Sequence, residues 1–131
     1  MEYVKSFRDL EAYKLARQLA MELFEISKKF PKEEMFSLTD QVRRSSRSVG
    51  GQIAEAWAKR RYEKHFVSKL IPHKYGTDGE QLETQHWIET AMDCFYITEM
   101  TGVDLLERYA SVGKMLNSMI VKAESFCSKL N

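Results

Sequence analysis

Apolar side chains recur at intervals of three and four along nearly the whole chain, and nowhere do they alternate in twos. A helix turns once in about 3.6 residues, so such spacing gathers them into one stripe; a half-buried strand needs a period of two. Ala12, Leu15, Leu19, Leu23, Ile26 and Phe30 form the first stripe and predict a helix from Phe7 to Phe30. Pro31 closes it, because the residue before a proline is pushed out of the α region. Leu38, Val42, Val49, Ile53 and Ala56 form the second stripe, with Ser45 or Ser46 filling the gap. A third helix starts over Tyr62–Ile71, is interrupted near Pro72–Gly79, and resumes from Glu80 with Trp87, Ile88, Ala91, Phe95 and Thr98. Thr101-Gly102 marks its end. Leu106, Tyr109, Val112, Leu116, Met119, Ala123, Phe126 and Leu130 form the last stripe, with Asp104 in the first turn. Four stripes with short connections satisfy one another best as an all-α, antiparallel up-and-down four-helix bundle. Residues 1–131 read as one domain, long enough to bury a core without disulfides or metal.

Local signals refine this outline. Ser37 or Thr39 is the expected cap of the second helix, with Glu33-Glu34-Met35 as its first turn the alternative, and Thr77 or Asp78 is that of the resumed third. Gly50-Gly51 falls in mid-helix, where each glycine costs roughly 1 kcal/mol relative to alanine. Close approach of another backbone there is the expected compensation, and a simple break at Gly50 is the alternative. Cys94 and Cys127 sit in apolar surroundings and read as reduced core thiols. With no secretory pattern at the start and no apolar run of about 20 residues, the expected location is cytoplasmic.

The formal net charge is only +1, but the charges are segregated. Residues 41–75 carry nine Lys/Arg against two Glu, a net of +7, whereas residues 78–107 carry eight acids and no Lys or Arg. Arg43, Arg44 and Arg47 fall within about one helical turn. Lys59, Arg60, Arg61 and Lys64 form a second group where that helix ends. Arginine forks suit phosphate oxygens, and clustered cations gain affinity by releasing counterions. These seven residues are therefore candidate nucleic-acid contacts. The bland alternative is that they pair with the acids of 78–107, within or between subunits. Aromatic residues for a single-strand binder are few: Trp57, Tyr62 and Phe66.

No catalytic constellation emerges. Glu83 and His86 have the E-x-x-H spacing of di-iron helices, but such a site needs a second copy and two further glutamates. Tyr62 and Leu70 occupy the matching positions before His65 and His73. The chain has no phosphate-loop motif, no dinucleotide fingerprint and no nucleophile elbow. No metal or cofactor is expected, and the residues point away from an enzyme.

Several blocks resemble a known family. They are Phe7-Arg8-Asp9-Leu10, Phe30-Pro31 with Glu34 and Leu38, Gln41 to Val49 around Arg43-Arg44-Ser45-Ser46, and Ile53-Ala54-Glu55. Arg61-Tyr62 with Phe66 and Leu70, and Glu83-Thr84-Gln85 with Trp87-Ile88, continue the match. Together they resemble the four-helix bundle proteins encoded in intervening sequences of bacterial 23S rRNA genes. The resemblance implies a homo-oligomer, similar to members that assemble as homopentamers. That family is in turn similar to the accessory protein of diversity-generating retroelements, which associates with a reverse transcriptase and nucleic acid. Two departures stand out. Gln52-Ile53-Ala54-Glu55-Ala56 lacks the glycine the family usually has at the last position, so the second helix is expected to run on to Lys59. The Pro72–Gly79 segment reads as an insertion into one long family helix.

Two functions fit the sequence. One is a homo-oligomer that binds RNA or DNA through its basic second helix. The other is a structural protein, or one that meets a protein partner, whose basic and acidic helices pair between subunits without nucleic acid. Glu55, an acid among cations, is expected to hold an arginine in place.

Overall fold

A computed structural model describes residues 4–71 and 76–127, and helix is the only regular structure among them. A 3-10 turn at Phe7–Asp9 opens the chain, and Ser6 Oγ accepts the Arg8 amide at 3.2 Å. Leu10 is extended (φ −68°, ψ 130°), so helix α1 starts only at Glu11 and spans Glu11–Ser27. It also stops before Phe30. Lys28, Lys29 and Phe30 instead bond to carbonyls three residues back, tightening the chain ahead of Pro31. A 3-10 turn at Lys32–Glu34 and one π-helical turn at Met35–Thr39 then lead into α2, Asp40–Ala58.

Neither expected cap of α2 acts as one. Thr39 is already helical, and Ser37 Oγ donates to Glu34 Oε1 at 2.6 Å. The π turn delivers the chain already wound, so no side chain is needed to start the helix. Helix α2 runs unbroken through Gly50-Gly51 and ends at Ala58 with Lys59 as its C-cap. The glycine pair is not a site of close backbone approach. A Cβ on Gly50 would meet the Tyr13 ring at an ordinary 3.6 Å, and one on Gly51 would meet nothing within 4 Å.

Helix α3 is Glu63–Leu70 and α4 is Thr77–Asp93. Of the expected interruption, 72–75 lies outside the described residues, and α4 begins ahead of Gly79. Gly76 occupies the N-cap position; Thr77 Oγ1 instead donates to the Lys69 carbonyl at 3.0 Å, tying the start of α4 to the end of α3. Helix α4 stops at Asp93, well short of Thr98. Phe95 takes a left-handed conformation (φ 62°), Tyr96 N–H reaches back to Ala91 O at 2.9 Å, and Phe95 N–H to Met92 O at 3.0 Å. These are the paired bonds of a Schellman stop. Helix α5, Glu99–Val121, is capped by Thr98, whose Oγ1 accepts the Thr101 amide at 3.1 Å. Thr101 and Gly102 therefore lie inside α5, and Asp104 falls beyond its first turn. A short α6, Ala123–Phe126, follows.

The four long helices pack in a closed cycle: α1 on α2, α2 on α4, α4 on α5, and α5 on α1. Their shared core holds Ala16, Leu19, Leu23, Leu38, Val49, Ile53, Ile88, Leu105, Tyr109 and Leu116, all fully buried. The expected stripes hold at most positions, with two differences: Leu15 is only half-buried beside the fully buried Ala16, and Leu105 is buried in place of Leu106. Leu130 lies outside the described residues. Helix α3 closes one end, its Phe66 stacked on Phe126 of α6 at 6.1 Å. At the other end Tyr96 OH donates to Glu34 Oε2 at 2.8 Å, which raises the phenol to about 12. Both cysteines are free; Cys127 is half-buried and packs against the core, whereas Cys94 is exposed and is not a core thiol. Among the described residues no helix is long and apolar enough to cross a membrane.

Candidate nucleic-acid interface

Consecutive residues on a helix point about 100° apart, so Arg43 and Arg44 serve different neighbours. Arg43 turns towards α1. Its Nε donates to the buried Ser27 Oγ at 2.8 Å, and its guanidinium lies 4.8 Å from the centre of the Phe24 ring. Arg47, one turn on, lies 5.4 Å from the same ring, and Lys28 Nζ lies 4.7 Å from it. One phenyl ring thus gathers three cations, an arrangement favoured by the negative face of an aromatic ring.

Arg44 turns the other way, onto α4. One guanidinium nitrogen meets Glu80 Oε2 at 3.4 Å and the other bonds Glu83 Oε2. Glu83 also accepts from Trp87 Nε1 at 3.1 Å, and beside the pair the buried Thr84 hydroxyl donates to Ser45 Oγ at 2.9 Å. Burial raises the Glu80 carboxyl above its ordinary value, and Arg44 offsets only part of that. Arg44 is therefore committed to joining α2 to α4. Glu55 is committed as well, but to a lysine and not an arginine: Lys69 Nζ of α3 sits 2.7 Å from its Oε2.

The remaining cations gather where α2 turns into α3. Arg60 folds back flat on Trp57, its guanidinium 3.5 Å from the ring centre and its Nε donating to the Trp57 carbonyl at 2.8 Å. Arg61 lies 6.0 Å from the Tyr62 ring, and Tyr62 is 58% exposed with its ring 5.5 Å from that of His65. Lys59 and Lys64 are exposed on either side. Phe66, by contrast, is fully buried and presents no stacking face. Among the described residues, no carboxylate lies within ion-pair distance of Arg43, Arg47, Lys59, Arg60, Arg61 or Lys64.

The seven basic candidates thus form two separate groups and one internal strut. Residue order alone showed the clusters but missed Phe24 and Lys28 as their partners. The available signal was a matched pair of i, i+4 spacings, Phe24–Lys28 at the end of α1 and Arg43–Arg47 on α2. The acids of α4 and α5 answer little of this charge within the chain. Glu80 and Glu83 meet Arg44, whereas Glu89, Asp93, Glu99 and Glu107 stand exposed without a cation among the described residues.

No group of three or more His, Cys, Asp or Glu suited to a metal occurs among the described residues. Glu83 is engaged by Arg44, and His86 is exposed with its ring 4.8 Å from that of Trp87. His65 is exposed on α3, and His73 lies outside the described residues. Two clefts, of about 650 and 500 Å³, lie away from the basic groups. The first runs between the start of α1 and the end of α5, and the second lies at the α4–α5 turn.

Fold and surface together define an all-helical protein with a divided basic surface. The chain belongs to the 23S rRNA-intervening sequence protein family, whose model matches residues 8–118. In structure it is similar to a protein of unknown function from the S23 ribosomal protein family of Bacteroides thetaiotaomicron VPI-5482. That likeness has a TM-score of 0.71 at 24% identity, covering 84% of this chain and 95% of the other, and it speaks to the fold alone. A search among curated proteins gives no match.

Proposed function

We propose that the chain is the protomer of a homopentamer of antiparallel four-helix bundles, which performs no chemistry and holds nucleic acid by its phosphates. The contacts would be Arg43, Arg47, Lys59, Arg60, Arg61 and Lys64, with Arg44 as an internal strut. The antiparallel arrangement is supported by the pairing of ends. Tyr13 meets Gly50 while Ser27 meets Arg43, and Met92 meets Gly102 while Gln81 meets Gly113. Two free thiols, one of them exposed, fit a reducing cytoplasm.

The observation that carries the reading is the contrast among the cations. Arg44 has two carboxylates, while the other six have none among the described residues. Basic side chains left without acids, with Arg43, Arg47, Arg60 and Arg61 ordered on aromatic rings, are prepared for an anion from outside the chain. Binding of a structured RNA, followed by fluorescence anisotropy, should be tight at about 50 mM salt. It should weaken by roughly a thousandfold at about 200 mM, as expected for six phosphate contacts. No binding at the lower salt would sink the reading.

The exposed acids of α4 and α5 favour a second reading. Glu89, Asp93, Glu99 and Glu107 could meet the basic face of the next copy, a head-to-tail contact that closes into a ring. Solution mass separates the two. Reversing Arg43 and Arg47 to glutamate leaves the assembly intact if they serve nucleic acid, and breaks it if they join subunits.

A further inference from the structure

We infer that the α2–α3 corner accepts an unpaired nucleotide, so that single strands are held in preference to duplexes. This inference rests on the nucleic-acid reading proposed above. Four cations, Lys59, Arg60, Arg61 and Lys64, crowd the corner against a single uncommitted acid, Glu63. That excess alone would serve any phosphate backbone. The aromatic groups add what a duplex cannot use, since its bases are already stacked and offer no free face.

Tyr62 is the centre of the arrangement. It is the N-cap residue of α3, and its backbone carbonyl accepts the amides of His65 and Phe66 at 3.0 Å. The backbone is thereby fixed while the ring stands 58% exposed among charges. A large ring left in water forgoes the gain of burial, and a nucleobase supplies a flat partner of matching size. Flat groups lie close to it in the chain as well. The Arg60 guanidinium is held on Trp57 by both stacking and the Nε bond, and the His65 ring lies tilted by 58° to Tyr62. Guanidinium planes and aromatic rings stack on bases whatever the sequence. Lys59, Arg61 and Lys64 are exposed within three residues of Tyr62 in the chain and supply cations for the phosphates that flank the base. The Phe24 group lacks this feature: its ring is surrounded by Lys28, Arg43 and Arg47 and offers charge but no open platform.

The test compares one mixed-sequence 12-mer as a single strand and as a blunt duplex, by anisotropy at about 50 mM salt with the full chain. The wild type should bind the single strand at least about tenfold more tightly. Tyr62→Ala should weaken single-strand binding by about tenfold, the loss of one stacked base, while duplex binding stays unchanged. Tyr62→Phe should keep the preference. Circular dichroism of each variant reports whether the fold is intact. Equal affinity for the two forms, or an equal loss on both in Tyr62→Ala, would overturn the stacking site and leave the phosphate reading standing. Absence of binding to either form would remove the phosphate reading itself, and this inference with it.

Discussion

Phe95 holds a backbone conformation that phenylalanine rarely adopts. At φ 62° its Cβ crowds the backbone, a strain of about 1–2 kcal/mol that glycine does not have. The side chain offers little in return, being 91% exposed. The two stop bonds, at 2.9 and 3.0 Å, need only the backbone and survive replacement of the ring. Phe95→Gly should therefore stabilise the fold by about 0.5–1 kcal/mol, the strain relieved less the entropy glycine adds to the unfolded chain. Equilibrium denaturation in urea measures it, and a loss of stability would show that the ring makes contacts worth more than the strain. The same residue explains a misplaced boundary. Phe95 follows Ala91 at a spacing of four and so extends the apolar stripe, while the usual marker of a left-handed stop, glycine, is missing. A helix end that depends on a strained non-glycine residue leaves no trace in composition.

At the scale of elements, two glycines divide in the opposite sense to the one their neighbourhoods suggest. Gly51 lies in mid-helix with open space where a Cβ would go, so Gly51→Ala should stabilise α2 by about 1 kcal/mol. Gly102, which reads as a helix terminator, lies in α5 against Met92. A Cβ there would come within 2.3 Å of Met92 Sδ and 2.5 Å of its Cγ. Met92 would have to swing aside, and an overpacking cost of about 1–3 kcal/mol, less about 1 kcal/mol gained from helix propensity, leaves Gly102→Ala destabilising by up to about 2 kcal/mol. Thermal unfolding of the two variants should give shifts of opposite sign; two upward shifts would mean that Met92 repacks without cost. The helices themselves were legible because burying an apolar face demands a period, and α1, α2 and α5 announce it over several turns. Their ends were not. Thr39, Thr77 and Thr101 are all capping residues by type, yet in none of the three does a side chain start a helix. A π turn, a bond to α3 and an earlier cap at Thr98 do the work instead.

Across the whole molecule, charge was legible as an amount and not as an allocation. Arg43 and Arg44 are adjacent in the chain, but one faces α1 and the other α4, and only the packed helices decide which meets a carboxylate. Two of the interhelical ion clusters also respond to acid in opposite ways. Between α1 and α5, Arg108 grips Glu22 with two bonds of 2.6 and 2.5 Å and also holds Asp104 at 2.9 Å. The hydrogen bonds from Arg108 lower the Glu22 carboxyl below its ordinary 4.5. The fold therefore favours its ionised form: the stabilisation is present above pH 4.5 and is lost as pH falls through the lowered value. Between α2 and α4, burial raises Glu80 above 4.5, so the fold favours its protonated form. That contribution is full below pH 4.5 and is lost as pH rises through the raised value. Glu22→Gln should then destabilise the protein at pH 7 by about 1 kcal/mol, the Glu22 side chain being 37% exposed and its pairing partly screened by water. Glu80→Gln should cost less at the same pH, because a neutral amide still accepts from Arg44 and carries no charge to desolvate. Repeating both denaturation curves near pH 3.5 separates charge from packing. The Glu22→Gln penalty should shrink there as the wild-type carboxyl begins to protonate, whereas a penalty unchanged from pH 7 would assign the effect to side-chain packing between α1 and α5.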